Sequence, residues 1–269
     1  MIEKIKNAKG FLFDLDGVFI QSGKSLPGAI ETIKILQARG IPFRFLTNTT
    51  TKSRKTLHML LLELGIKCEQ EHIFSAGYSG IKTIIEMGYP TCHLYISDDL
   101  KKDYGIFKLD VNDPEIVVIG DYEKWDFELL NQAFNYVMNG SQILALHMGK
   151  YYKVDSGLRL DAGAIVKALE FATAKKAIIV GKPNILFFKS ALDDLNLDPN
   201  DVLMIGDDLY NDIYGAQRLK IQGILVKTGK YHPGMLESSN IKPDGLIDSI
   251  EDIAKIIRNY KAPHSWDDG

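Results

Sequence analysis

The feature that constrains this chain most is an apolar run that ends in carboxylates. Gly10-Phe11-Leu12-Phe13 leads directly into Asp14-Leu15-Asp16-Gly17. The apolarity is continuous rather than alternating, a pattern that belongs to a strand buried on both faces, as in a parallel sheet. Helical spacing follows over 27–39, where Ile30, Ile33 and Leu36 share one face and Gly40 supplies a stop. A second strand is predicted at 41–46, ending at Thr47-Asn48, and a second helix at 52–64, ending at Gly65. Strand, helix, strand, helix implies parallel βαβ units and a doubly wound, Rossmann-like α/β sheet.

The same rhythm returns after Lys175. Strands are predicted at 177–180, 202–205 and 223–226, and helices at 185–195 and 212–219. The stretch between is different. It offers strands at 94–96, 116–119, 143–146 and 151–154 and helices at 127–138 and 162–172, and Gly149-Lys150 reads as a hairpin turn between the last two strands. Residues 79–175 are therefore expected to form an α+β domain inserted into an α/β core made of 1–78 and 176–269. A length of 269 residues suits two such parts. The last residues, 261–269, read as a frayed polar tail.

Composition narrows the function. The net charge is 32 − 35 = −3, which points away from nucleic acid. No apolar run approaches the ~18 residues of a membrane helix. Two cysteines, Cys68 and Cys92, make no disulfide framework, so a cytoplasmic location is expected. The six histidines show no HxxxH spacing and the cysteines no CxxC, so no structural zinc is expected.

In a doubly wound sheet, ligands bind beyond the carboxyl ends of the strands. Asp14 and Asp16 follow the first strand, Thr47 and Asn48 the second, Lys182 a later one, and Asp207, Asp208 and Asp212 another. Carboxylates gathered at one edge repel unless a cation joins them, and an all-oxygen set suits Mg²⁺. Each residue alone has a plainer explanation. Strand-end aspartates cap the next helix, Thr47-Asn48 makes a turn, and Lys182 is solvated. The order of the four groups is what lifts them above those explanations. Gly223 to Lys230 has the wrong spacing for a phosphate loop, and Tyr231 stands where Ser or Thr should be.

The four motifs, in order, resemble the haloacid dehalogenase superfamily of phosphotransferases, over nearly the whole chain. They are Asp14-Leu15-Asp16-Gly17-Val18, Thr47-Asn48, Gly181-Lys182-Pro183 and Gly206-Asp207-Asp208 with Asp212. The insertion between the second and third resembles the C2-capped, NagD-like subfamily. Tyr151-Tyr152-Lys153, Gly157-Leu158-Arg159-Leu160-Asp161, Ala168-Leu169-Glu170-Phe171-Ala172 and Leu225-Val226-Lys227-Thr228-Gly229-Lys230 look like the branch of phospholysine phosphohistidine inorganic pyrophosphate phosphatases and domain-containing-2 haloacid dehalogenase-like hydrolases. The resemblance implies a Mg²⁺-dependent phosphatase acting on a small phosphorylated substrate. Asp14 is then the nucleophile and Asp16 the acid and base. Asp14, the Asp16 carbonyl and Asp207 are the metal ligands, and Thr47, Asn48 and Lys182 bind the phosphoryl group. Asp208 and Asp212 stand behind them. True dehalogenases lack the second aspartate, so Asp16 argues against dehalogenation.

Two other readings remain open at this point: a phosphomutase or phosphotransferase using the same intermediate, and a phosphate- or partner-binding protein with weak turnover. A single-domain phosphoacceptor receiver is too small and keeps its phosphorylated aspartate on a later strand. The inserted segment is expected to choose the leaving group, with 156–161 and Arg159 as first candidates. Capped relatives imply a homodimer through the cap.

Overall fold

The computed structural model describes residues 1–109, 111–154 and 157–259. One sheet has six strands in the order Gly245–Ile247, Gln222–Val226, Val202–Gly206, Gly10–Asp14, Phe43–Thr47 and Ile73–Ser75. Gly10–Asp14 pairs in parallel with Val202–Gly206, with Phe11 opposite Leu203 and Phe13 opposite Ile205. Parallel pairing continues outward to Gln222–Val226 and Gly245–Ile247. Every residue of Gly10–Asp14 and of Val202–Gly206 is buried, which is why both read as unbroken apolar runs.

A second sheet has five strands, in the order Ile178–Ile179, Gln142–Ala145, Ile116–Ile119, Thr91–Tyr95 and Lys108–Leu109. All its junctions are parallel. Helices and strands thus alternate here as well. Among the described residues of the inserted stretch, antiparallel pairing is confined to a separate hairpin, Tyr151–Val154 with Gly157–Leu160.

That hairpin corrects the sequence reading. Strand Gln142–Ala145 pairs with Ile116–Ile119 and Ile178–Ile179, not with Tyr151–Val154. Gly149 is not the turn. A Cβ at Gly149 would lie 1.9 Å from Asp161 Oδ2, so the glycine supplies room for a carboxylate. The helix expected over 212–219 is also different: a π-helical turn, Leu209–Tyr214, leads into the short helix Gly215–Gln217.

The chain divides into two compact units: 1–45, 61–68 and 192–269, and 46–60 with 69–191. The first has an aromatic centre. Phe13, Phe19, Phe43 and Phe45 are buried, with Phe45 edge-on to Phe19 at 5.0 Å and to Phe43 at 5.4 Å. Helix Ala29–Ala38 meets helix Ile250–Asn259, where the Thr32 hydroxyl donates to the Ile250 carbonyl at 3.2 Å. In the second unit, Tyr95, Val117, Ile119 and Ile143 pack against Ala133 and Val137 of Phe127–Met138 and Val166 and Leu169 of Ala162–Thr173. Asp126 caps the first of these helices by accepting from the Leu129 N–H at 2.7 Å. Among the described residues no helix is long and apolar enough to cross a membrane.

Candidate active site

In the first unit, strand register gathers the acids. Pairing Phe13 with Ile205 brings Asp14 and the residues after Gly206 to the same edge. There Asp14, Asp207 and Asp212 are all buried, and one carboxylate oxygen from each lies within 4.8 Å of the others. Three buried carboxylates at this spacing fit a hard divalent cation, which takes oxygen donors and offsets their repulsion. The π-helical turn is what carries Asp212 into the group. There the Asp208 N–H donates to Asp212 Oδ2 at 3.1 Å, holding that carboxylate beside Asp14 and Asp207.

Asp208 has a different environment. Its carboxylate caps the Leu209–Tyr214 turn, accepting from the N–H groups of Tyr210 at 3.0 Å and Asn211 at 2.8 Å. It also accepts from the Lys230 ammonium at 2.8 Å. Burial raises its pKa, but the Lys230 charge and these donors outweigh that and hold it below the usual carboxylate range. This is the helix-capping role that strand-end aspartates commonly take.

Strand pairing ends at Asp14, so the alternation of faces does not carry on to Asp16. Asp16 is exposed, and its backbone forms an isolated bridge with Ile20. The chain turns at Gly17, where φ is +86° and a Cβ would lie 2.1 Å from Asp207 Oδ2. Residues 223–230 are expected to be a strand and turn rather than a phosphate loop, and strand Gln222–Val226 bears that out. The turn after it buttresses this edge. The Thr228 hydroxyl donates to the Gly17 carbonyl at 2.5 Å, and the Lys230 N–H to Asp207 Oδ2 at 2.7 Å.

The second unit holds Thr47, Asn48 and Lys182. Thr47 and Lys182 are buried. Asn48 and Lys182 grip each other's polar groups: Asn48 Nδ2 donates to the Lys182 carbonyl at 2.9 Å, and the Lys182 N–H donates to Asn48 Oδ1 at 2.8 Å. The Lys182 ammonium lies 3.4 Å from the Leu46 carbonyl, which it donates to. The Thr47 hydroxyl oxygen accepts from the Thr49 N–H at 3.0 Å.

A second titratable group in this unit includes Asp161 from the candidate loop 156–161, joined by two residues the sequence did not single out. Asp121, His147 and Asp161 offer ligand atoms within 4.8 Å of one another. His147 Nε2 lies 3.7 Å from Asp121 Oδ1 and 3.9 Å from Asp161 Oδ1. Burial works to lower the His147 pKa, but the Asp121 carboxylate overrides it and raises it. Burial likewise raises Asp161. Arg159 is on an exposed strand with Nη1 3.9 Å from Glu123 Oε1. Of the candidate loop 156–161, residues 157–160 form that exposed strand and Asp161 joins the cluster, while 156 is outside the described residues, as is the tail.

A parallel sheet edge that collects buried carboxylates belongs to enzymes that hold a divalent cation. Comparison with known proteins narrows the class. The haloacid dehalogenase-like hydrolase model matches residues 11–104, and the HAD-hydrolase-like model matches 179–253. A phospholysine phosphohistidine inorganic pyrophosphate phosphatase of Danio rerio is 36% identical over 256 residues, 93% of this chain and 94% of that one. The haloacid dehalogenase-like hydrolase domain-containing protein 2 of Rattus norvegicus is 39% identical over 87% of this chain and 90% of its own. Among solved structures, the p-nitrophenyl phosphatase from Archaeoglobus fulgidus superposes with a TM-score of 0.86 at 27% identity, covering 93% of this chain and 99% of its own. The chain belongs to the haloacid dehalogenase-like hydrolases, and among them to the phosphatases.

Proposed function

We propose that the chain is a Mg²⁺-dependent phosphatase that hydrolyses a small phosphorylated metabolite through a phosphorylated Asp14. Asp14 attacks phosphorus, and the bond from phosphorus to the leaving oxygen breaks. Asp16 gives that oxygen its proton. Asp16 then takes a proton from water, the water oxygen attacks phosphorus, and the bond to Asp14 breaks, releasing inorganic phosphate. Thr47, Asn48 and Lys182 hold the phosphoryl oxygens, the lysine adding positive charge. Asp14, the Asp16 carbonyl and Asp207 hold the cation, joined or backed by Asp212, while Asp208 orders Lys230. The cation supplies Lewis-acid and charge-offsetting chemistry.

The observation that carries this reading is the burial of Asp14, Asp207 and Asp212 together. Three apposed buried carboxylates have no structural use that a neutral side chain would not serve better. Within the proposal, residues 79–175 act as the cap that selects the leaving group. The exposed apolar side chains Leu158, Leu160 and Phe171, 68%, 77% and 92% exposed, support pairing of two copies through that segment.

The test is Asp14→Asn, nearly isosteric but a poor nucleophile. Release of phosphate from p-nitrophenyl phosphate should vanish while the melting transition persists. A folded variant that keeps more than a small fraction of wild-type turnover overturns the assignment. Release of free phosphate also separates hydrolysis from transfer to a second hydroxyl.

A further inference from the structure

The turn over 227–230 is bonded to the carboxylate edge at several points. Strand Gln222–Val226 delivers it, and its first residue is anchored: the Lys227 N–H donates to the Ile247 carbonyl at 3.0 Å, and the Lys227 ammonium pairs with Asp248 at 2.8 Å. A threonine hydroxyl in a turn commonly bonds back onto its own backbone. The Thr228 hydroxyl instead donates to the Gly17 carbonyl at 2.5 Å, across 211 positions of sequence. Two residues on, the Lys230 N–H donates to Asp207 Oδ2 at 2.7 Å and the Lys230 ammonium to Asp208 Oδ2 at 2.8 Å. One short turn therefore holds both the segment of Asp16 and Gly17 and the segment of Asp207.

Gly17 is where such a hold matters. Its φ is +86°, and a Cβ would stand 2.1 Å from Asp207 Oδ2 and 3.0 Å from the Gly229 Cα, so no other residue fits. Glycine is also the residue whose backbone dihedrals are least restrained. The Asp16 carbonyl belongs to the peptide that ends at the Gly17 nitrogen. The N–H of that peptide donates to the Ile20 carbonyl at 2.7 Å. A planar trans peptide sets its carbonyl opposite its N–H, so the Asp16 carbonyl is directed away from Ile20. The next peptide, beyond the Gly17 Cα, carries the carbonyl that Thr228 holds. Gly17 thus has one peptide plane pinned by Ile20 within its own turn and the other pinned by Thr228, from a strand that Val202–Gly206 separates from Gly10–Asp14. Without the second pin the glycine dihedrals relax, and the Asp16 carbonyl shifts relative to Asp207.

We propose that Thr228 is a positioning residue for the metal site: its hydroxyl fixes the Gly17 joint so that the Asp16 carbonyl and the Asp207 carboxylate face the cation together. This deepens the Mg²⁺-dependent phosphatase reading, rests on it, and adds a residue outside the four motifs. Thr228 acts through Gly17, not on the substrate.

The experiment compares Thr228→Val, which keeps the branched shape and loses the donor, with Thr228→Ser, which keeps the donor. Mg²⁺ is titrated in two ways on the full chain: by the rise of the thermal midpoint with no substrate present, and by phosphate release from p-nitrophenyl phosphate. Partners that orient a metal ligand typically contribute 10–100-fold in metal affinity, and one neutral hydrogen bond sits at the lower end of that range. Thr228→Val should therefore need about tenfold more Mg²⁺ for half effect in both titrations, with turnover largely recovered at saturation. Thr228→Ser should respond at wild-type concentrations. A residue that merely packs the turn would lower the thermal midpoint without Mg²⁺ and leave the half-effect concentration where it was. That result overturns the proposal, as does a serine variant impaired as much as the valine one. Should Thr228→Val fail to fold, Thr228→Ala takes its place against the same serine control, and failure of both to fold marks a structural residue and overturns the proposal too. A wild type that responds to Mg²⁺ in neither titration sinks the metal reading and the proposal with it. A wild type that responds, matched by a valine variant responding at the same concentrations, overturns the proposal alone.

Discussion

Gly229 carries no side chain because Asp207 occupies the space one would need. Its φ is +59°, and a Cβ would stand 1.9 Å from Asp207 Oδ2. Gly229→Ala should therefore displace the Asp207 carboxylate, the proposed metal ligand. Misplacement of about 1 Å is enough to cost on the order of 100-fold in turnover. Phosphate release, with thermal unfolding as the control for folding, checks this, and a fully active alanine variant would show that the loop does not hold Asp207. Cys92 gives a second expectation. Burial, helped by the charge of Glu115, pushes its thiol up to about 12. At pH 8 only about one thiol in ten thousand is then ionised, and the thiolate is the reactive form. A disulfide reagent at pH 8 should leave Cys92 unmodified in the native protein and label it in denaturant. At this scale the acids at strand ends were legible because a single strand carries both the apolar run and the carboxylate. The meeting of Asp121, His147 and Asp161 was not, since three separate segments deliver them and no spacing links them.

Elements follow the same division. Ile116–Ile119, Phe127–Met138 and Ile185–Leu195 stand where periodicity put them, since each shows its face to one core. Helix Ala76–Met87 gave no such signal. Gly77 and Gly80 lie inside it, and glycine is a poor helix former. In the fold they are contact points, where a Cβ would meet Leu100 Cδ1 at 2.6 Å and the Tyr104 hydroxyl at 2.5 Å. The missed strand Gly157–Leu160 is exposed at every residue, so burial left no alternation to read. Where burial is strongest, so is the energetic prediction. Phe45 is fully buried among Phe13, Phe19 and Phe43. Phe45→Ala should destabilise the protein by about 3–5 kcal/mol, removing transfer energy and leaving a cavity. Urea unfolding followed by circular dichroism measures it, and a loss under 1 kcal/mol would mean the aromatic centre collapses to fill the gap.

For the whole molecule, buried like charges make stability depend on what neutralises them. Asp14, Asp207 and Asp212 repel in the absence of a cation, so Mg²⁺ should bind the folded state and not the unfolded chain. At 100 times its dissociation constant it should add about 2.7 kcal/mol. The midpoint of thermal unfolding should rise with Mg²⁺ and fall back with chelator, and the rise should be much smaller in Asp207→Asn. The paired-copy expectation is tested by Leu158→Ser with Leu160→Ser, which should shift sedimentation from dimer to monomer without unfolding the chain. A wild type that sediments as a monomer sinks it. The reciprocal amide grip of Asn48 and Lys182 has a further consequence. It closes a loop across 134 positions of sequence. The entropy of closing a loop rises only with the logarithm of its length, about 0.6 kcal/mol for each doubling. Two hydrogen bonds at the neck therefore make the size of everything between them nearly free to vary. A chain built this way can lengthen, shorten or replace its middle while Asn48 and Lys182 stay where they are.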